Sequence, residues 1–320
     1  MTDLINLFPG IPFVESPIFD TIVDQMPLAD NERTIARDLN RRGYAIFDFP
    51  DPDIDSRIDR IREKLAGEFG IGHIGPTEPK SPTVGRIQDA WQYDEDIRAI
   101  AANKAVVELL SKLWGRRAFP FQTLNFPVGT QQHVHTDTVH FSSMPERFMC
   151  AVWLAMEDVH PDAGPLHYVP GSHKWPIISN AMIGRRGWHQ ELEFAQLPYH
   201  DAWSALMAEH QIPLETFLAR KGQALIWCAN LLHGGAPQID PARTRWSQVT
   251  HYYFNDCIYY TPALSDEALG RLQMRQIIDA AEGAPKANLY LGEEVREQEP
   301  VEQPPRAAFW RRALKRSVRA

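Results

Sequence analysis

Gln131-Gln132-His133-Val134-His135-Thr136-Asp137 is the stretch on which this chain turns. Its counterpart downstream is Ile226-Trp227-Cys228-Ala229-Asn230-Leu231-Leu232-His233-Gly234-Gly235. Side chains alternate across an extended strand, so His133, His135 and Asp137 are expected to point the same way. His135 and Asp137 can then chelate one ion from a single strand, with the third ligand supplied from elsewhere. His233 is the candidate, because it follows a buried-type apolar strand, and a loop residue at a strand end is where a sheet scaffold places chemistry. Two imidazoles and one carboxylate on one face of Fe(II) leave positions open for a co-substrate and O2. His133 is the competing ligand, and its expected place is beside the site or at the surface.

Working outward, the region from about 117 to 260 has short apolar or alternating runs separated by Gly, Pro, Asn and Asp. The clearest strands are 119–126, 148–157, 224–228 and 247–255. This spacing predicts an all-β sandwich or barrel. The first 116 residues read differently. A helix is expected over 30–42, capped by Asp30 or Asn31 and stopped by Gly43. A strand follows over 44–49. Helices are expected over 53–69, where Ile54, Ile58, Ile61, Leu65 and Phe69 recur at helical spacing, and over 94–114. Residues 72–93 read as a loop, 175–217 as a partly helical insertion over the open end of the sandwich, and 265–281 as a final helix. The chain is therefore read as one domain over 1–281, with a core at about 117–260 and helical support at 1–116. Residues 282–320 are read as a disordered linker and tail.

The remaining composition excludes several function classes. A net charge of −8 argues against nucleic acid as a partner. No apolar run approaches the length of a membrane span, and no signal peptide is evident at the N-terminus. The three cysteines, Cys150, Cys228 and Cys257, each sit in an apolar run and lack zinc-finger spacing. They read as buried thiols of a cytoplasmic protein. Residues 306–320 carry basic residues and no acid. Phe309, Trp310, Ala313, Leu314 and Val318 would share one helical face there, a candidate for docking to a membrane surface or a protein partner.

The order of motifs around the triad carries a resemblance. Phe126-Pro127-Val128-Gly129-Thr130 leads into His135-Thr136-Asp137. Trp153-Leu154-Ala155-Met156-Glu157-Asp158, Asp162-Ala163-Gly164-Pro165-Leu166 and Pro170-Gly171-Ser172-His173 follow. His233-Gly234-Gly235, Arg245-Trp246-Ser247 and His251-Tyr252 complete the set. This ordered set resembles the phytanoyl-CoA dioxygenase family of Fe(II)/2-oxoglutarate-dependent oxygenases over about 117–255. The resemblance implies a mainly β fold with flanking helices, built on a double-stranded β-helix (jelly roll, cupin-like) core below a helical N-terminal third. It implies His135, Asp137 and His233 as iron ligands, 2-oxoglutarate and O2 as co-substrates, and hydroxylation of an organic small molecule with release of succinate and CO2.

The resemblance also implies an Arg some ten to twelve residues beyond the distal His, holding the far carboxylate of 2-oxoglutarate. Arg243 and Arg245 both fall there. Arg245 is chosen because His251 and Tyr252 follow it in the family's register. A guanidinium forks onto a carboxylate with two charge-assisted bonds. Ser247, on the same strand face, can add a hydroxyl donor, and Gln122, like Asn125, can reach from the preceding strand. Two departures stand out: Gly235 where the family often has Ser, and Gln223 where it often has Asp. A carboxylate at position 137, where related halogenases carry a small residue, favours hydroxylation.

Other candidates are weaker. His140, Arg185 and Trp188 are candidate substrate contacts, with Arg186 and His189 beside them and Arg86, Gln88 and Trp91 on the earlier loop. His167 and His173 are expected to be structural, and Trp153 and Trp227 to pack in the core. Two alternatives to the oxygenase reading are a metal-binding jelly-roll sensor without turnover and a cupin metalloenzyme that does not use 2-oxoglutarate.

Overall fold

The computed structural model describes residues 5–71, 85–188 and 196–296. In chain order the strands are β1 (Tyr44–Asp48), β2 (Ile87–Gln88), β3 (Ala118–Phe126), β4 (Ser142–Met144), β5 (Met149–Ala155), β6 (Leu166–Tyr168), β7 (Glu215–Phe217), β8 (Gln223–Cys228), β9 (His233–Gly235), β10 (Ser247–Phe254), β11 (Ile258–Tyr260), β12 (Ile277–Asp279), β13 (Ala284–Lys286), β14 (Leu289–Tyr290) and β15 (Glu293–Glu294). Six of them form an antiparallel sheet in the order β1-β8-β5-β10-β3-β2, and β7-β6-β9 form a second sheet. The helices are α1 (Phe19–Ile22), α2 (Asp30–Arg42), α3 (Ile54–Glu68), α4 (Glu95–Ala101), α5 (Lys104–Trp114) and α6 (His200–His210).

Side-chain alternation sorts the large sheet into two faces. On β5, Cys150, Val152 and Leu154 pack among the helices, whereas Ala151, Trp153 and Ala155 pack towards the smaller sheet. Strand β8 divides the same way, with Ala224, Ile226 and Cys228 on the helical side and Leu225 and Trp227 on the other. Burying one large apolar side chain is worth about 2 kcal/mol. A one-residue slip would move every such side chain to the wrong face, so the register is strongly set. The even-numbered face of β5 and β8 thus builds the core against α2, α3 and α5. The odd-numbered face is left to line a space between the sheets.

Several elements form as their sequence predicts. Helix α2 buries Ile35, Ala36 and Leu39 and ends at Gly43, which adopts φ 82° in the left-handed region open to glycine. Helix α3 buries Ile58, Ile61 and Leu65. The strands expected at 119–126, 148–157, 224–228 and 247–255 are β3, β5, β8 and β10. The insertion is partly helical, and Tyr199 and Trp203 at its α6 end pack with Val139 and Leu232, which are close in sequence to Asp137 and His233.

Other expectations are corrected. The cap of α2 is Ala29, not Asp30 or Asn31: the Glu32 carboxylate accepts the Ala29 backbone N–H at 2.9 Å. The single helix expected over 94–114 is two, because Asn103 caps a new start by accepting from the Val106 N–H at 3.1 Å. Within the loop expected over 72–93, Ile87–Gln88 adds a strand to β3, while 72–84 lie outside the described residues. The final helix expected over 265–281 does not form. Two 3-10 turns, at Pro262–Leu264 and Glu267–Leu269, are followed by extended chain and β12. Gly270 at φ 66° breaks the run, and β12 pairs with β13 instead. Residues 284–294, expected as structureless linker, form β13 and the β14–β15 hairpin. The basic tail at 306–320 lies outside the described residues. Among the described residues no helix is long and apolar enough to cross a membrane.

Candidate metal centre

His135, Asp137 and His233 come together, each offering a ligand atom within 4.8 Å of the others. The means differs from the expected strand alternation. His135 and His233 face each other as an isolated antiparallel bridge, exchanging both backbone hydrogen bonds at 2.9 Å. Directly opposed residues project to one side, and the two rings lie 4.6 Å apart. The chain leaves the bridge at once, and Asp137 opens a 3-10 turn that runs to Val139. The carboxylate therefore arrives from a turn, with Oδ1 3.8 Å from His233 Nε2. His133 does not share the face: it is exposed, with its ring 4.9 Å from that of His200 and tilted against it.

The surroundings fix the state of each group. His135 Nδ1 lies 2.7 Å from the His133 carbonyl, and His233 Nδ1 lies 2.9 Å from the Leu231 carbonyl. A carbonyl can only accept, so each ring carries its proton on Nδ1 and keeps the Nε2 lone pair for a metal. Burial, with repulsion from His233, lowers the His135 pKa to about 3, so this imidazole is neutral. Burial raises the Asp137 carboxyl, but His233, His251 and His135 together with the Trp227 bond outweigh it and hold its pKa below the ordinary value. Trp227 Nε1 donates to Asp137 Oδ2 at 2.7 Å. That bond occupies one carboxylate oxygen and leaves Oδ1 for the ion. Two imidazoles with Nε2 turned to the centre and one ionised carboxylate suit Fe(II) or a similar borderline divalent ion.

A cavity of about 530 Å³ opens from this centre, lined by Trp153, Trp227, Arg245, Val249 and His251 among others. Strand pairing lays it out in rungs. His251 stands beside Ala151 and Trp227, and Val249 stands beside Trp153 and Leu225. The Arg245 guanidinium lies 5.6 Å from the Trp153 ring, over the second rung. The first rung, through Trp227 and His251, carries the metal centre. Two residues of strand separate the rungs, about 7 Å. Arg245 is 2% exposed, and among the described residues its guanidinium makes one hydrogen bond, a long 3.4 Å contact to the Val128 carbonyl. Its Nε has no partner. Burial lowers its pKa to about 10, with Glu157 opposing. Arg243 is a half-buried ion-pair partner of Asp240 and does not line the cavity.

The other candidates separate clearly. Gln122 lines the cavity with Oε1 unpartnered. Ser247 is fully buried with its hydroxyl unpartnered, yet it is not among the lining residues. His140 lines the cavity, and its Nε2 lies 3.1 Å from Gln196 Oε1 at the edge of the insertion. Arg185 does not reach the cavity: its guanidinium donates to Asn180 Oδ1 at 2.9 Å and to the Ala263 carbonyl at 3.0 Å, a structural tie. Trp188 is half-buried away from the cavity lining, and His189 lies outside the described residues. His173 ties Asn40 to the PGSH turn, with Nε2 3.1 Å from the Asn40 carbonyl. Trp153 and Trp227 pack as expected but also line the cavity.

Gly235 has a physical reason. A Cβ there would stand 2.6 Å from Thr130 Oγ1 and 2.7 Å from the Gln131 amide nitrogen. Thr130 lines the cavity in the place a side chain at 235 would contest. Sequence reasoning missed the Trp227 bond to Asp137 and the cavity role of Arg275. An indole in a β-strand carries no sign that it will meet a carboxylate, and Arg275 sat in the expected helix.

Comparison with known proteins agrees with this geometry. No curated protein sequence matches the chain significantly. Among solved structures, the non-heme alpha ketoglutarate dependent carbocyclase SnoK from nogalamycin biosynthesis is similar at 19% identity and TM-score 0.54, over 81% of this chain and 94% of that one. The epimerase SnoN, in complex with Fe3+, alpha ketoglutarate and nogalamycin RO, is similar at 19% identity and TM-score 0.53, over 81% and 96%. EctD from S. alaskensis, with 2-oxoglutarate and 5-hydroxyectoine, is similar at 16% identity and TM-score 0.54, over 76% and 82%. These likenesses show a shared fold. The family model for phytanoyl-CoA dioxygenase matches residues 52–244, more than half of the chain. The chain belongs to the phytanoyl-CoA dioxygenase family.

Proposed function

We propose that this protein is an Fe(II)- and 2-oxoglutarate-dependent oxygenase that hydroxylates an organic small molecule. Its two facing sheets are read as a double-stranded β-helix. The observation that carries the reading is Arg245: a buried guanidinium without a carboxylate partner among the described residues, about 7 Å along the sheet from a buried His-Asp-His cluster. A buried cation without a counter-charge is costly unless an anion arrives to pair with it. A short dicarboxylate bridging the metal centre and Arg245 meets both demands.

His135 and His233 would hold Fe(II) through Nε2 and Asp137 through Oδ1. Bound there with 2-oxoglutarate and O2, Fe(II) supplies the oxidising chemistry, with succinate, CO2 and a hydroxylated product as the outcome. The chain's own residues do the positioning. The two backbone carbonyls keep the imidazole lone pairs aimed at the centre. Trp227 prevents Asp137 from rotating. Arg245 receives the far carboxylate with forked, charge-assisted bonds. Gln122, opposite His251 on the metal rung, lines the same cavity with its Oε1 unpartnered. The aromatic walls from Trp153 and Trp227 exclude water, which strengthens each of these contacts.

The neighbours named above include an epimerase and a carbocyclase, so the fate of the substrate after oxidation needs its own test. Hydroxylation adds one oxygen to the product mass; epimerisation leaves the mass unchanged. The cofactor assignment is tested by anaerobic titration of Fe(II)-loaded protein with 2-oxoglutarate, following the weak visible charge-transfer band. A band that saturates in the native protein and is absent in His233→Ala supports the assignment. A metal-loaded protein without the band would sink it in favour of a sensor or a cupin enzyme with other chemistry.

A further inference from the structure

The cavity has a second cationic end that binding of 2-oxoglutarate at Arg245 leaves unused. Arg86 and Arg275 both line it. The Arg275 guanidinium lies 4.9 Å from the Phe141 ring, and its Nη1 donates to Thr261 Oγ1 at 3.2 Å. Its Nε is buried and has no hydrogen-bond partner. Phe141 is 5.0 Å from the His251 ring and 5.6 Å from Phe121, which stacks on Tyr253 at 4.0 Å. Phe121 and Phe141 thus continue the rung order past His251, on the side away from Val249 and Arg245. The metal centre lies between two guanidinium ends.

Charge bookkeeping sharpens the point. Among the described residues, Asp137 is the one carboxylate lining the cavity, and it is committed to the metal centre and Trp227. Neither Arg86 nor Arg275 forms an ion pair with a described carboxylate. Arg275 lies against Phe141, whose ring is beside His251, and Arg86, just ahead of the Ile87–Asn125 pair, lines the cavity from the sheet edge. In a chain of net charge −8, a cavity with three guanidiniums and one carboxylate concentrates anions. One guanidinium is assigned to 2-oxoglutarate. Arg275 comes from a segment beyond residues 52–244, whereas Arg86, Phe121 and Phe141 lie within the family match.

We propose that the substrate is an organic oxyanion, a carboxylate or a phosphate, whose charged group is held by Arg275 and Arg86 while its carbon skeleton lies over the metal centre. The assignment rests on the oxygenase reading above. Arg275 is the more rigid holder, fixed by Thr261 and by the Phe141 face. Arg86, on the exposed segment leading into β2, lines the same cavity and supplies a second positive charge. Phe141 favours an apolar or planar portion next to the charge.

The test uses the full-length protein under anaerobic conditions with Fe(II) and saturating 2-oxoglutarate. Benzoate, phenyl phosphate and the neutral benzamide are titrated calorimetrically. The expected result is saturable binding of at least one anion, with benzamide weaker by about tenfold or more. Arg275→Gln should weaken the anion by a similar factor and leave the 2-oxoglutarate charge-transfer band intact. Arg275→Lys should recover part of the loss. Arg86→Gln, at an exposed position, serves as a second variant for which misfolding is no concern. The tighter of the two anions tells whether carboxylate or phosphate is preferred. Equal binding of benzamide, no binding of either anion, or anion binding unchanged in both Gln variants overturns the proposal. If the charge-transfer band never forms in the native protein, the oxygenase reading fails instead. The same titrations on metal-free protein then still decide whether the anion site exists.

Discussion

Replacing Trp227 with Phe isolates one bond of the metal centre. The indole Nε1 donates to Asp137 Oδ2 at 2.7 Å, and both residues are buried, 2% and 5% exposed. Phe keeps a ring near His233, whose centroid is 4.5 Å from that of Trp227, so the change removes a donor more than a volume. A hydrogen bond to a charged acceptor contributes about 1.5–3 kcal/mol. If the whole of it acts on the ligand geometry, Fe(II) binding weakens by about 10- to 100-fold, the range expected for a lost outer partner of a metal ligand. The assay is anaerobic competition for Fe(II) against a chromophoric chelator. Trp153→Phe is the control, because Trp153 lines the same cavity but makes no bond to the triad. Iron affinity within about twofold of native in Trp227→Phe would refute the argument. So would an equal loss in both variants, which would mean general loosening of the cavity wall.

Three further outcomes are expected. Arg245→Met should abolish saturable 2-oxoglutarate binding and, without ligands, raise the thermal midpoint, because it removes a buried guanidinium that has no counter-charge; a lowered midpoint would show that the guanidinium is satisfied without an anion. Gly235→Ser should cost about 1–3 kcal/mol in urea unfolding, since its Cβ meets Thr130 and the Gln131 backbone within 2.7 Å; unchanged stability would mean that Thr130 yields freely. Burial lowers the His173 pKa from 6.5 to about 4, so the unfolded chain binds the proton first and stability falls as pH drops from 6.5 towards 4. The loss from this group is about 2 kcal/mol by pH 5. His173→Gln should flatten the urea midpoint against pH over that interval, and parallel slopes for the two proteins would refute it.

The parts of the fold that the sequence announced are those where local pattern and tertiary packing agree. Ile35, Ala36 and Leu39 recur at helical spacing and face the sheet, and Gly43 stops the helix where its backbone needs a positive φ. The strands β3, β5, β8 and β10 carry apolar runs because both faces are buried. The triad residues were readable as types and order, but their geometry was not. Strand alternation would have brought His133 to the ion, whereas the His135–His233 bridge and the turn at Asp137 leave it in solvent. A bridge between residues nearly a hundred positions apart leaves no local trace in either segment.

The misread helix at 265–281 and the missed Arg275 have one cause. Glu267-Ala268-Leu269 and Arg271-Leu272-Gln273-Met274-Arg275-Gln276 are good helix formers, so propensity points one way. Tertiary pairing wins: Tyr260 bridges Met274, the Arg275 N–H donates to the Tyr259 carbonyl at 2.8 Å, and Asn288 Nδ2 donates to the Arg275 carbonyl at 3.1 Å. Asp266 is drawn off to accept from the Gly187 N–H at 2.8 Å. Helix preference over six residues is worth only a few tenths of a kcal/mol each relative to alternatives, so three or four long-range backbone bonds suffice to override it. The extended form has a consequence that a helix would lack. It is pinned edge to edge with β11 and β13, and that pinning carries the guanidinium of Arg275 to the Phe141 face at the cavity wall. A substitution that restored helix here, such as Gly270→Ala, would have to adopt φ 66° or break the pairing. Its predicted effect is loss of oxyanion binding with 2-oxoglutarate binding retained, since Arg245 is held by β10 and its neighbours alone.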